Sequence, residues 1–171
     1  MKLAFPMAMI GGSLACTPLM AADLSVTLQV PQLSVAEYHR PYVAIWLEKA
    51  DATAAGDLAV LYDVKKADKE GEKWLKDLRQ WWRKSGRNLT MPVDGVSGAT
   101  RAPGTHTLNL GATKAVRGLQ PGEYTLVVEA AREVGGREMI KLPLKWPPAG
   151  PVTQSVKGEN ELGTISLAAK P

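Results

Sequence analysis

The stretch Tyr42-Val43-Ala44-Ile45-Trp46-Leu47-Glu48 decides the fold of this chain. It is apolar at both odd and even positions, which is typical of a strand that is buried on both faces at the centre of a sheet. Upstream, residues 24–30 alternate strictly between apolar and polar side chains, and Pro31 follows them. This pattern predicts a half-buried strand, so the amino-terminal part of the chain indicates a β protein.

Further strands are predicted along the rest of the chain, each bounded by Gly, Pro or polar residues. Gly135-Gly136 indicates a hairpin tip, and Pro143 confines its strand to a sheet edge or a bulge. Seven or more short strands with one helix predict a mainly β fold, an immunoglobulin-like β-sandwich formed by a single domain of residues 23–171. The additional strands are expected at residues 58–62, 105–110, 124–131, 139–146 and 164–168.

Residues 73–84 predict the one amphipathic helix of the chain. Their apolar side chains recur at helical spacing and form a single stripe, while charged side chains cover the other faces. Gly86 is expected to end this helix in the left-handed conformation. The stripe consists of Trp74, Leu75, Leu78, Trp81 and Trp82.

The first 22 residues have the pattern of a secretory signal peptide. Lys2 supplies the positive charge, residues 3–19 are apolar, and Met20-Ala21-Ala22 offers a small-residue cleavage site. The apolar run is too short for a transmembrane helix. We therefore expect export to the periplasm, a mature start near Ala22 or Asp23, and no stable insertion into a membrane.

The charge and cysteine content exclude several classes of protein. The formal net charge is +4, mixed along the chain rather than clustered, so no nucleic-acid surface is predicted. Cys16 is the only cysteine and lies inside the predicted signal, which excludes disulfides, iron–sulfur clusters and covalent haem from the mature chain. Lipoprotein processing at Cys16 is the less favoured alternative, because Ser13 stands where an aliphatic residue is usual.

No catalytic residue and no metal site is predicted. His39 and His106 are the only histidines, and neither has a second ligand at metal-binding spacing. Nucleophile-elbow, P-loop and Rossmann motifs are absent from the sequence. Glu129, Glu133 and Glu138 surround the predicted hairpin and are expected to be solvated.

Residues 94–100 read D-G-V-S-G-A-T and lie between Pro92 and Pro103-Gly104. This density of Pro, Gly, Asp and Ser predicts an exposed loop rather than the interior of a strand or helix. The segment resembles D-x-x-[S/T]-G-A-T, the motif modified by bacterial flavinyl transferases of the ApbE kind. The resemblance implies that Thr100 carries FMN through a phosphoester on its hydroxyl.

The same resemblance implies roles for the neighbours of Thr100. Asp94 and Ser97 would serve recognition by the transferase and the shape of the loop. Gly98 and Ala99 would leave room for the transferase around the hydroxyl, and Arg101 would neutralise the phosphate.

A wider resemblance covers most of the chain. Segments 40–48 (R-P-Y-V-A-I-W-L-E), 74–84, 97–104 and 121–133 are similar to the predicted periplasmic proteins of domain of unknown function 2271. This resemblance implies an electron carrier in an extracytoplasmic, iron-linked redox chain, with a flavinyl transferase and a PepSY-type membrane protein as partners. The flavin, rather than the protein, would perform the redox chemistry.

Two questions stay open at the level of sequence. Trp81 and Trp82 either pack the helix against the sheet or stack on the flavin ring. The protein is either this flavoprotein or a non-redox periplasmic binding or assembly module that uses its edges and loops.

Overall fold

The structure, a computed structural model, describes residues 22–171, so the predicted signal peptide up to residue 21 and Cys16 lie outside it. The described chain is mainly β, as predicted. Its strands are β1 (Asp23–Val30), β2 (Tyr42–Lys49), β3 (Ala54–Tyr62), β4 (Ser97–Ala99), β5 (Gly104–Asn109), β6 (Gly122–Ala131), β7 (Arg137–Trp146), β8 (Val152–Lys157) and β9 (Thr164–Lys170).

The strands form two sheets. One has the order β5-β1-β9-β8 and the other the order β4-β3-β2-β6-β7. The paired strands are antiparallel except for β3 and β4, which run parallel. β2 lies at the centre of the larger sheet and β7 at its edge, which confirms both the central strand and the edge position predicted from Pro143.

The two faces of β2 explain its unbroken apolar sequence. Every second residue contributes to one hydrophobic cluster that contains side chains of both sheets, so the sheets pack against each other there. The alternate residues enter a second cluster on the outer face of the larger sheet, beneath the helical segments. In β2 the first set is Val43, Ile45 and Leu47, and the second is Tyr42, Ala44 and Trp46.

The prediction of one helix over residues 73–84 is wrong. A 3-10 segment, Ala67–Asp77, is followed by a short helix α1, Arg79–Lys84, and the two are separated at Leu78, whose ψ is 71°. Leu78 itself is fully buried. The apolar stripe therefore belongs to two helical pieces rather than to one.

A carboxylate from the sheet accounts for the break. Glu129 of β6 is 0% exposed, and its oxygens accept hydrogen bonds from the backbone amides of Gln80 (3.0 and 3.1 Å) and Trp81 (2.9 Å). These amides belong to the first turn of α1, where they lack partners within the helix. The prediction that Glu129 is solvated was therefore wrong.

Two further features differ from the sequence-based expectations. Gly86 opens a second 3-10 segment, Gly86–Asn88, and lies against Trp81, since a Cβ there would be 2.6 Å from the indole ring. Its role is thus close packing rather than a left-handed helix end. Strand β8 and helix α2 (Lys114–Arg117) were not predicted. Across residues 22–171, each helical segment is too short or too polar to cross a membrane.

Candidate functional site

The segment from residue 94 to residue 100 combines a tight turn with a short strand. Asp94 and Gly95 are exposed in the turn, and Gly95 has a φ of 69°, which favours glycine. The turn is closed by Ser97, whose amide donates to the Val93 carbonyl (2.9 Å) and whose Oγ accepts from the Val93 amide (2.8 Å).

The expectation of a loop is correct for the turn and wrong for β4. Residues 97–99 pair with the edge of β3 that β2 leaves open, and so become a strand. Gly98 fits this position because a Cβ there would be 3.1 Å from the side chain of Leu61. The strand fixes the direction in which the next residue, Thr100, leaves the sheet.

Thr100 is held at both its backbone and its side chain. Its amide donates to the carbonyl of Tyr62 (3.2 Å), and its Oγ1 donates to Oδ1 of Asp63 (3.3 Å). The Lys66 ammonium lies 3.3 Å from the other carboxylate oxygen of Asp63. Sequence reasoning missed Asp63, because only the parallel pairing of β3 with β4 brings it beside Thr100.

Thr100 lies on the wall of a cavity of about 320 Å³. We call this the Thr100 cavity. It lies where the start of β2, the end of β6 and the first 3-10 segment meet. Its lining includes aromatic side chains and charges of both signs: Tyr38, His39, Arg40, Tyr42, Asp63, Trp74, Asp77, Thr100, Ala131, Arg132 and Glu133.

The other motif residues do not line this cavity. Asp94 projects from the turn, and no side-chain hydrogen bond from it is found within residues 22–171. Ala99 faces a separate depression with Tyr62 and Lys65. Arg101 is partly buried, and its Nε has no hydrogen-bond partner within the described chain.

The three tryptophans of the predicted apolar stripe lie in different environments rather than on one face of one helix. Trp81 is 0% exposed and its indole nitrogen donates to Asp57 (2.8 Å), so it has no free face on which a flavin could stack. Trp82 is half-buried and lines another depression with Arg83 and Arg137. Trp74 is 39% exposed and lines the Thr100 cavity. The break at Leu78 separates Trp74 from the other two.

Three polar atoms around the cavity are buried without a partner in the described chain. They are the hydroxyls of Tyr38 and Tyr42 and the Nη1 of Arg132. The Tyr42 hydroxyl lies near Asp63 but forms no hydrogen bond of normal geometry with it. Burial, followed by the nearby Asp63 carboxylate, raises the pKa of Tyr42 to about 12. Burial also raises the pKa of Tyr38. Both hydroxyls therefore keep their protons at neutral pH and can donate hydrogen bonds.

The two histidines have local partners. His39 contacts carboxylate oxygens of Glu37 (2.8 Å) and Glu133 (3.5 Å) at the cavity rim, and a ring nitrogen of His106 is hydrogen-bonded to the Ala102 carbonyl (2.8 Å). In the part of the chain that the structure covers, no group of three or more metal-binding side chains is present.

Comparison with known proteins assigns the chain to a family but assigns no activity to it. A family model described as "Predicted periplasmic protein (DUF2271)" matches residues 23–164. No curated protein and no solved structure matches the chain. The family description confirms the periplasmic localisation that the sequence predicts.

Proposed function

Because the chain belongs to the DUF2271 family of predicted periplasmic proteins, we propose that it is a periplasmic flavoprotein that carries FMN covalently on Thr100 and transfers electrons. The observation that carries the proposal is the position of Thr100. The threonine that ends the D-x-x-[S/T]-G-A-T motif has its hydroxyl on the wall of a cavity large enough for a cofactor ring.

The attachment would be carried out by a separate ApbE-type transferase that uses FAD. The Thr100 Oγ1 forms a bond to the phosphorus on the FMN side of FAD, the pyrophosphate bond breaks, and AMP leaves. The hydroxyl proton passes to a base, and Asp63 is the carboxylate that already accepts the hydrogen bond of this hydroxyl. Asp94 and the exposed turn would be read by the transferase.

The residues around Thr100 suit the bound group. Arg40 supplies positive charge on the cavity wall and Trp74 supplies an aromatic face, while the charge of Arg132 is paired with Glu161. When bound, FMN supplies the electron-transfer chemistry, while the chain holds the cofactor and sets its exposure to solvent. A PepSY-type membrane protein in an iron-linked chain is the redox partner that the family resemblance implies.

We predict that Thr100→Val abolishes covalent attachment of FMN. Valine keeps the branched shape but lacks the hydroxyl, so no phosphoester can form. Because Thr100→Val also removes the hydrogen bond to the Asp63 carboxylate, the free energy of unfolding should fall by about 1.5 kcal/mol, and circular dichroism checks that the variant still folds. The measurement is intact mass after co-expression with a flavinyl transferase, in which the unmutated protein gains one FMN less one water.

Thr105→Val is the matched control, since Thr105 is an exposed threonine of β5, the next strand along the chain, which belongs to the other sheet. This variant should be modified fully. Attachment to folded Thr100→Val would exclude Thr100 as the acceptor. If the unmutated protein acquired no flavin from a competent transferase, the redox proposal would fail and a periplasmic binding or assembly module would replace it.

We also propose that the two sheets form an immunoglobulin-like sandwich. Variable-type immunoglobulin domains place strands C′, C, F and G side by side in one sheet and pair B with E in the other. In the larger sheet, the order β3-β2-β6-β7 corresponds to C′-C-F-G. In the other sheet, β1 and β5 correspond to B and E, and β9 takes the position of strand A beside β1. An experimental structure should give an angle of about −30° between the sheets, and an orthogonal crossing would contradict the proposal.

A further inference from the structure

On the basis of the proposed function, we infer that the Thr100 cavity is the receptor for the isoalloxazine ring, with Trp74 as its stacking partner and the Tyr38 and Tyr42 hydroxyls as its hydrogen-bond donors. Covalent attachment alone requires only an accessible hydroxyl. The inference adds that the attached ring folds back into a preformed site of this chain.

The first support is the convergence of unpartnered polar atoms. Tyr42 is 8% exposed and begins β2, Tyr38 lies in the segment before it, and Arg132 follows β6. Buried polar atoms without hydrogen bonds are rare in folded proteins and need an explanation. All three residues line the same cavity. A ring with carbonyl and imine acceptors along one edge offers the acceptors that such donors lack.

Arg132 lines the cavity and has one guanidinium nitrogen without a hydrogen bond. Its Nε and Nη2 donate to the Glu161 carboxylate at 2.8 and 3.1 Å, and the side chain of Arg132 is 6% exposed. Only Nη1 is left without a partner. The ion pair thus fixes the guanidinium, and a ligand acceptor would complete its hydrogen bonding.

The second support is Trp74. A large indole that is 39% exposed on a cavity wall is costly in water, whereas Trp81 of the same apolar stripe is completely buried. Offset stacking on an aromatic ring would cover the exposed face and add an attractive interaction beyond the buried area. Since Thr100 lines the same cavity, a ring tethered to it through phosphate and ribityl chain is attached to the cavity that Trp74 lines.

The experiment compares Trp74→Ala with Trp82→Ala in the full chain carrying FMN, with intact mass confirming equal modification. Stacked tryptophan quenches flavin emission and restrains the ring. Trp74→Ala should therefore raise flavin fluorescence severalfold and lower its anisotropy, while Trp82→Ala leaves both unchanged. The inference would be overturned if the unmutated protein and both variants had equal, unquenched flavin emission, or if only Trp82→Ala changed the emission. Either result would leave the covalent attachment of FMN to Thr100 unaffected.

Tyr42→Phe is expected to change the unfolding midpoint in opposite directions in the unmodified and the flavinylated protein. In the unmodified protein, removing a buried hydroxyl without a partner should leave the unfolding midpoint unchanged or raise it. In the flavinylated protein the same change should lower the midpoint and shift the visible flavin absorption, because a hydrogen bond to the ring is lost. Identical effects on both forms would overturn the role assigned to the hydroxyl.

Lumiflavin, which has the ring without the ribityl phosphate, keeps the inference testable if no covalent flavin forms. Unmodified protein should then quench lumiflavin in a saturable titration, and Trp74→Ala should lose that quenching. Saturable binding of lumiflavin would support the ring site even if the proposal of covalent attachment had failed. No saturable quenching under those conditions would overturn the inference together with the proposed function.

Discussion

The hydroxyl of Thr100 is oriented by Asp63, a carboxylate 37 positions away in the sequence. Asp94, the carboxylate of the motif itself, is exposed in the turn. The two acidic residues therefore have different roles in our proposal. Asp94 is available to a transferase, and Asp63 positions the acceptor oxygen from within the protein.

We predict that Asp63→Ala slows attachment of FMN by about tenfold at limiting transferase. A hydrogen bond to a charged group contributes about 1.5–3 kcal/mol, and a loss of about 1.4 kcal/mol corresponds to tenfold in rate. The rate is followed by intact mass over time. Asp77→Ala, which removes another carboxylate of the same cavity, should be modified at the normal rate. Equal slowing in both variants would argue against a specific role for Asp63.

At the scale of an element, α1 depends on a residue outside itself. It has six residues, too few to be stable alone. Glu129 supplies acceptors for its first amides and also lies 3.2 Å from the Arg137 guanidinium. A negative charge at a helix amino terminus also interacts favourably with the helix dipole. The strand β6 thus determines where the helix begins, and through it the position of Trp81.

We predict that Glu129→Gln lowers the free energy of unfolding by about 2 kcal/mol, because one neutral amide oxygen replaces two charged oxygens that accept from the α1 amides and from Arg137. The volume of the side chain hardly changes, so packing is preserved. Urea unfolding measures the loss, and near-ultraviolet circular dichroism reports the packing of Trp81. Glu133→Gln, whose side chain is 46% exposed, should change stability by less than about 0.5 kcal/mol. If Glu129→Gln left the free energy of unfolding unchanged, α1 would not need the carboxylate.

At the scale of the whole molecule, two buried or half-buried carboxylates connect separate parts of the fold. Glu48 of β2 is 2% exposed and contacts Lys84 of α1 (3.1 Å) and Lys141 of β7 (3.3 Å). Glu138 of β7 accepts hydrogen bonds from backbone amides of residues 159, 160 and 162, which precede β9 of the other sheet. These contacts hold the helical layer and the second sheet to the larger sheet.

We predict that the protein loses stability as the pH falls below about 4.5. Burial raises the pKa of Glu48, but hydrogen bonds from Lys84, Trp46 and Lys141 outweigh it and hold the pKa below the usual 4.5. Burial likewise raises the pKa of Glu138, and backbone amides of the 159–162 segment lower it further than burial raises it. A depressed folded-state pKa contributes stability that is complete above the unfolded value and is lost as the pH falls through the folded value.

The measurement is the urea midpoint between pH 7 and pH 3. It should be flat above about pH 5.5 and fall below 4.5. Glu48→Gln should have a lower midpoint at pH 7 and a weaker dependence on acid. A midpoint that rises as the solution becomes more acidic would contradict the prediction.

The sequence by itself determined all strands except β4 and β8, and the central position of β2, because alternation and two-faced apolarity are local properties of the chain. It also indicated the edge position of β7 through Pro143, since a proline nitrogen cannot donate a hydrogen bond in a sheet. The export signal is likewise a local pattern. The composition of the segment ending at Thr100 predicted a loop, and its resemblance to the flavinylation motif singled out Thr100.

Only the tertiary structure decided what surrounds Thr100. The break at Leu78 is followed by amides of α1 that donate to Glu129, which lies 48 positions from Trp81. The contact between Asp63 and Thr100 depends on the pairing of β4 with β3. Periodicity places side chains on one face of a regular element, but it does not show that a carboxylate from a distant strand binds the amides where the element breaks.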